Sequence, residues 1–281
     1  MYFKSPLTTV AYALGIAAVA CRAAIMQSVY DDLIFYFQYA SSAYDIVCAR
    51  PNGNTMIASI FNAVTDTQGF IVRDDTRREI VVALRGSTSP VDFLVDSQIA
   101  LVPIDIPGVN APSGTKVHFG FQTAWNSVAS EVISTVKNEL DAHPGYGIVT
   151  TGHSLGGALS SLAGITMQQN FPSMSVRMYT YGQPRVGNTL YALFVDFSLS
   201  FNIFRVVHTD DGVPTIIPPV LGYRHHVFEY FQNPDPPSAA TTRICDATGE
   251  DPTCSDSIPS GGINLAHPVY FGIVATTPFC S

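Results

Sequence analysis

The chain has 281 residues, 47% of them hydrophobic and only 13% charged, with 14 Lys+Arg against 22 Asp+Glu for a formal net charge of −8. So much apolar side chain with so little charge excludes a disordered chain and supplies a large core. The acidic balance argues against nucleic acid as a partner, and no linker-like, repetitive or low-complexity stretch divides the sequence.

Met1-Tyr2-Phe3-Lys4 and the apolar run 6–20 have the layout of a signal peptide, one basic residue before a stretch too short to span a membrane. Cleavage after Ala23 leaves four cysteines, Cys48, Cys245, Cys254 and Cys280, whereas cleavage after Ala20 leaves Cys21 as an odd thiol. The expected organisation is therefore a signal peptide over 1–23 and a single secreted domain over 24–281, without an integral membrane segment. Removing Lys4 and Arg22 makes its charge 12 − 22 = −10. Four cysteines without C-x-x-C spacing in an exported chain predict disulfides rather than a metal site.

Val29, Leu33, Tyr36, Phe37 and Ala40 recur at helical spacing, which predicts a helix over 26–44 packed on a sheet. Three β-like runs follow, 57–64, 69–73 and 79–84, the last two joined by Asp74-Asp75-Thr76. This reads as an antiparallel start to the sheet. The third run ends in Arg85-Gly86-Ser87, where Ser87 can offer both an N–H and a hydroxyl to a developing negative charge, or else form a plain polar turn. Ser89-Pro90-Val91-Asp92 then looks like a capped helix start. Val91, Leu94 and Val95 fall on one side of it and Asp92 and Asp96 on another, the character of a short lid near 88–98 or of an ordinary surface helix. Residues 100–115 read as a Pro- and Gly-rich loop. Trp125, Val128, Val132, Val136 and Leu140 make a helical stripe that stops before Pro144-Gly145.

The next stretch, Gly147-Ile148-Val149-Thr150-Thr151-Gly152-His153-Ser154-Leu155-Gly156-Gly157-Ala158, carries a mechanism. A strand runs into G-x-S-x-G and straight into a small-residue helix, the pattern of a nucleophile elbow that exposes the Ser154 hydroxyl on a sharp turn. Gly152 and Gly156 leave room where strand and helix close on each other. The Leu155 N–H, at the start of the helix, is placed to donate to an oxyanion. Beyond it come a strand over 176–181, a turn over 182–188, a helix over 190–197 and a strand over 203–207 pointing at His208-Thr209-Asp210-Asp211. This is α/β alternation.

A serine hydroxyl needs a histidine to take its proton and a carboxylate to fix that histidine's tautomer. In this architecture the order is Ser, acid, His. Asp211 follows a strand end, where the acid belongs, and the later histidines are His225, His226 and His267. Spacing gives His267 only a modest lead.

Four motifs taken together, Gly152-His153-Ser154-Leu155-Gly156-Gly157, Tyr181-Gly182-Gln183-Pro184-Arg185-Val186-Gly187-Asn188, His208-Thr209-Asp210-Asp211-Gly212-Val213-Pro214 and Ala266-His267-Pro268-Val269-Tyr270-Phe271-Gly272, resemble the fungal class 3 lipase family, which also contains feruloyl esterases. The resemblance covers almost all of the chain past the leader. It implies an α/β-hydrolase fold, a mostly parallel sheet with antiparallel N-terminal strands and helices on both faces. It implies Ser154 as nucleophile, His267 as base, Asp211 as acid, and Ser87 and Leu155 as oxyanion donors. It further implies disulfides Cys48–Cys280 and Cys245–Cys254, no cofactor or metal, and structural roles for His118, His143, His153, His208, His225 and His226. The expected function is a secreted carboxylic ester hydrolase acting through an acyl-enzyme on lipid or other esters, at an oil–water interface, as a monomer. Val91, Phe93, Leu94, Val95 and Ile99 would contact the acyl group. The esterase branch carries a tyrosine near the far end of its lid where this chain has Ile99, so aliphatic acyl esters are expected, with feruloyl esters as the alternative. A non-catalytic lipid-binding member of the fold would lack a triad residue, and none is lacking here.

Overall fold

A computed structural model describes residues 24–87, 99–259 and 262–281. The first helix, α1 (Gln27–Ser42), buries Leu33, Tyr36, Phe37 and Ala40 as their spacing predicts. Three antiparallel strands follow: β1 (Thr55–Asn62), β2 (Thr67–Asp74) and β3 (Glu79–Leu84). The first strand stops two residues before the sequence pattern suggests. Asn62 Oδ1 accepts from the N–H groups of Val64 and Thr65 and turns the chain there, leaving the β-branched Val64 94% exposed at the tip. The stretch expected to be loop holds a short strand, β4 (Leu101–Pro103), which pairs with β5 (Lys116–His118) just beyond it.

The long helix α2 (Phe119–Ala142) leads to β6 (Gly147–His153), which enters α3 (Leu155–Asn170) through the single residue Ser154. β7 (Val176–Tyr181), β8 (Gly187–Asn188), α4 (Thr189–Ser198) and β9 (Ile203–His208) complete the alternation close to the expected positions. Past His208, where the sequence suggests no element, lie β10 (Tyr223–Arg224), β11 (Glu229–Gln232) and β12 (Thr242–Ile244).

The main sheet has the order β1-β2-β3-β6-β7-β9-β11-β12, parallel from β3 through β11 and antiparallel at both margins. Successive side chains of a strand face opposite sides, and both sides are covered here. On β3, Ile80, Val82 and Leu84 enter the core under α2, α3 and α4, while Val81 and Ala83 enter the core under α1. That double burial explains why residues 80–84 read as an unbroken apolar run. Cys48 bonds Cys280 and Cys245 bonds Cys254, the pairings the resemblance implies. No described helix is long and apolar enough to cross a membrane. Sheet order, layers and the strand–Ser154–helix turn are those of an α/β-hydrolase.

Candidate active site

Ser154 caps α3 with φ 60° and ψ −128°, a conformation that costs a non-glycine residue about 1–3 kcal/mol and persists only when its surroundings impose it. The imposing contacts are backbone on backbone. A Cβ on Gly152 would lie 2.2 Å from the Gly156 carbonyl oxygen, and a Cβ on Gly156 would lie 2.1 Å from that of Leu84. Both glycines of the pentapeptide are thus required by the approach of α3 to β3 and β6. The Ser154 N–H donates to the Tyr181 carbonyl at 2.8 Å, which ties the turn to β7.

Two later loops complete the site, one carrying Asp211 just past the end of β9 and one carrying His267 near the C-terminus. His267 Nε2 lies 2.9 Å from Ser154 Oγ, and His267 Nδ1 lies 3.0 Å from each carboxylate oxygen of Asp211. Ser154, His267 and Asp211 are all buried. The Val213 N–H donates to Asp211 Oδ1 at 2.9 Å and the Tyr270 hydroxyl to Oδ2 at 2.5 Å. Burial alone would raise the Asp211 pKa. The hydrogen bond and charge of His267, with the Tyr270 and Val213 donors, outweigh it and hold the carboxyl below the usual aspartate value. A permanent carboxylate facing Nδ1 keeps the Nδ1–H tautomer, so that Nε2 presents a lone pair to the serine hydroxyl. Gly182, at φ 56°, gives this pair its space: a Cβ there would stand 2.7 Å from Asp211 Oδ2 and 3.0 Å from the His267 ring.

Ser87 follows Gly86, where a Cβ would be 2.8 Å from the His153 carbonyl oxygen, so the end of β3 lies against the elbow. Leu155 is the first residue of α3, and a first-turn N–H has no acceptor inside its own helix. Ile99 is half-buried against the main core, and its carbonyl accepts from the Tyr223 hydroxyl at 2.6 Å. The lid span 88–98, with Val91, Phe93, Leu94 and Val95, lies outside the described residues.

The rival histidines go elsewhere. His225 Nε2 meets the Pro214 carbonyl oxygen, and His226 Nε2 meets the Gln183 amide, both away from Ser154. Asp210 is exposed and makes no contact with His267; its carbonyl accepts from Asn264. Glu229 comes close to Cys245 and Cys254 as if to hold a metal, but those sulfurs are bonded to each other and Glu229 pairs with Arg205 and Ser255. Sequence reasoning missed Tyr270. Its signal was present three residues after His267, inside a motif quoted for its histidine.

A buried Ser–His–Asp line on a nucleophile elbow, in this sheet, defines a serine hydrolase of the α/β-hydrolase class. A family model described as lipase (class 3) matches residues 81–221. A secreted alkaline triacylglycerol lipase of Penicillium cyclopium is 30% identical over 276 residues, covering 98% of this chain and 95% of the relative. A Rhizomucor miehei lipase is 32% identical over 266 residues, covering 90% and 71%. Among solved structures, a triacylglycerol lipase of Penicillium expansum superposes with a TM-score of 0.82 at 29% identity, covering 92% of this chain and 98% of that one. Another, a triacylglycerol lipase whose catalytic centre is a serine-protease triad, superposes with a TM-score of 0.80 at 30% identity over 92% and 99%. The chain belongs to the class 3 lipase family.

Proposed function

We propose that this protein is a secreted lipase that hydrolyses glycerides and other aliphatic acyl esters through an acyl-enzyme. The observation that carries the reading is the continuous line from Ser154 Oγ through His267 to Asp211, at 2.9 and 3.0 Å. In the first half-reaction His267 Nε2 takes the Ser154 proton as Oγ attacks the ester carbonyl. The Ser87 and Leu155 donors stabilise the oxyanion, and the imidazolium is stabilised by the Asp211 carboxylate. His267 then returns the proton to the leaving alcohol. In the second half, water attacks the acyl-Ser154 ester by the same proton path and releases the acid. No cofactor or metal takes part.

Glycerides as substrates are supported by relatives named as a triacylglycerol lipase and, from Fusarium solani, as a secreted mono- and diacylglycerol lipase. Both names also support export of this chain, in keeping with its two disulfides and with removal of 1–23 as a leader. An isoleucine at position 99 favours the aliphatic class, because a phenolic hydroxyl buried against it would lose its hydrogen bonds at about 1–3 kcal/mol. The test is an ester panel of p-nitrophenyl esters of rising chain length, an emulsified triacylglycerol and methyl ferulate. Aliphatic esters should give the highest kcat/KM. A methyl ferulate value above all of them would replace this reading with a feruloyl esterase.

A further inference from the structure

His153 precedes the proposed nucleophile, and its ring is engaged at both nitrogens. Nε2 lies 2.9 Å from the carbonyl oxygen of His267, and Nδ1 lies 2.8 Å from the Tyr44 hydroxyl. A carbonyl can only accept, so the proton sits on Nε2 and Nδ1 accepts from Tyr44. The Tyr44 hydroxyl is in turn held by the backbone of Gly86, where a Cβ would stand 1.9 Å from it. The two histidine rings lie 4.5 Å apart between centroids at an interplanar angle of 31°. One chain of hydrogen bonds thus joins the turn before Ser87, the loop after α1, the elbow and the backbone of His267. On the other side of the same loop, His208 Nδ1 lies 3.3 Å from the Ala266 carbonyl oxygen.

We infer that Tyr44 and His153 are positioning residues for the ester hydrolysis, fixing the His267 peptide so that Nε2 meets Ser154 Oγ. The inference rests on His267 being the base. His153 suits the task because burial, with the His267 charge adding, pushes its pKa down to about 3, so it stays neutral beside an imidazolium that forms and decays in each turnover. Its packing alone does not require a histidine, since Phe37 and Tyr270 meet the ring in edge-to-face contacts that a phenylalanine would also make.

The test uses His153→Phe, His153→Gln, Tyr44→Phe and the His153→Phe/Tyr44→Phe pair, on a soluble p-nitrophenyl ester with active sites titrated. Misplacing a reacting group by about 1 Å can cost on the order of 100-fold. His153→Phe should lower kcat about 10- to 100-fold with KM within about twofold. His153→Gln, which keeps a donor for the His267 carbonyl, should recover part of the loss. Tyr44→Phe, which deletes only the outer hydroxyl and spares the fold, should cost less, and the pair should be no worse than His153→Phe alone. Wild-type kcat in His153→Phe, or losses that multiply in the pair, would overturn the inference. His267→Ala, assayed alongside, separates the two claims. If it keeps wild-type turnover the base assignment fails; if it is inactive while His153→Phe is normal, only the positioning role fails.

Discussion

Asp211→Asn isolates what the buried carboxylate contributes. The side chain keeps its shape, but the Val213 N–H, a fixed donor, retains an oxygen and the amide nitrogen comes to face His267 and Tyr270. The amide then competes for the His267 Nδ1 lone pair, and the negative charge is gone. In the transition state the imidazolium would sit 3.0 Å from a full carboxylate. At an effective dielectric near 20, that attraction is about 5.5 kcal/mol, close to four orders of magnitude in rate. We expect kcat on a soluble p-nitrophenyl ester to fall about 10³- to 10⁴-fold, with KM little changed and the circular dichroism spectrum intact. A variant within tenfold of wild type would show that the carboxylate neither fixes the tautomer nor stabilises the charge.

Acid should weaken the fold well above the aspartate range. Burial, the largest cause in each case, lowers His118 to about 4, His153 and His226 to about 3, and His225 well below its ordinary value. Their folded values are depressed, so stability is present above the unfolded value near 6.5 and is lost as pH falls, while burial of Asp196, raised to about 7, acts in the opposite direction. Four groups against one leave a loss on the order of 3 kcal/mol between pH 7.5 and 5.5, measured by denaturant unfolding, and equal stability at the two pH values would contradict it. The Cys48–Cys280 bond closes 232 residues and Cys245–Cys254 only nine, so paired serine replacements should cost up to about 5 and about 2.5 kcal/mol, and the reverse ranking in Tm would refute the entropic argument. Gly156→Ala drives its Cβ into the Leu84 carbonyl at 2.1 Å and should yield little folded protein. Gly157→Ala, 3.1 Å from a side-chain carbon, should fold; equal yields would mean that the elbow can relax.

The legible parts of the sequence are those whose cause is local. Ser154 could be read because the glycines that permit its strained turn stand two residues to either side, and the strand over 80–84 because burial on both faces makes it apolar throughout. β11 was not legible. Its terminal residues Glu229 and Gln232 are polar yet buried, Glu229 held by Arg205 and Ser255 and the Gln232 side-chain oxygen accepting from the Phe271 N–H, partners that only folding supplies. Val64 misled in the other direction, a strand-former in a turn fixed by the preceding asparagine. His153 was visible, but its partners Tyr44 and His267 lie 109 and 114 residues away, so its role could not be read from its neighbours.

The acyl-enzyme on Ser154 is tested most directly by titrating the protein with a p-nitrophenyl alkylphosphonate and mapping the adduct by mass spectrometry. One adduct per chain on Ser154, with activity lost in proportion and Ser154→Ala unlabelled and inactive, is the predicted result. Labelling at any other residue with the same loss of activity, or turnover surviving in Ser154→Ala, would contradict it.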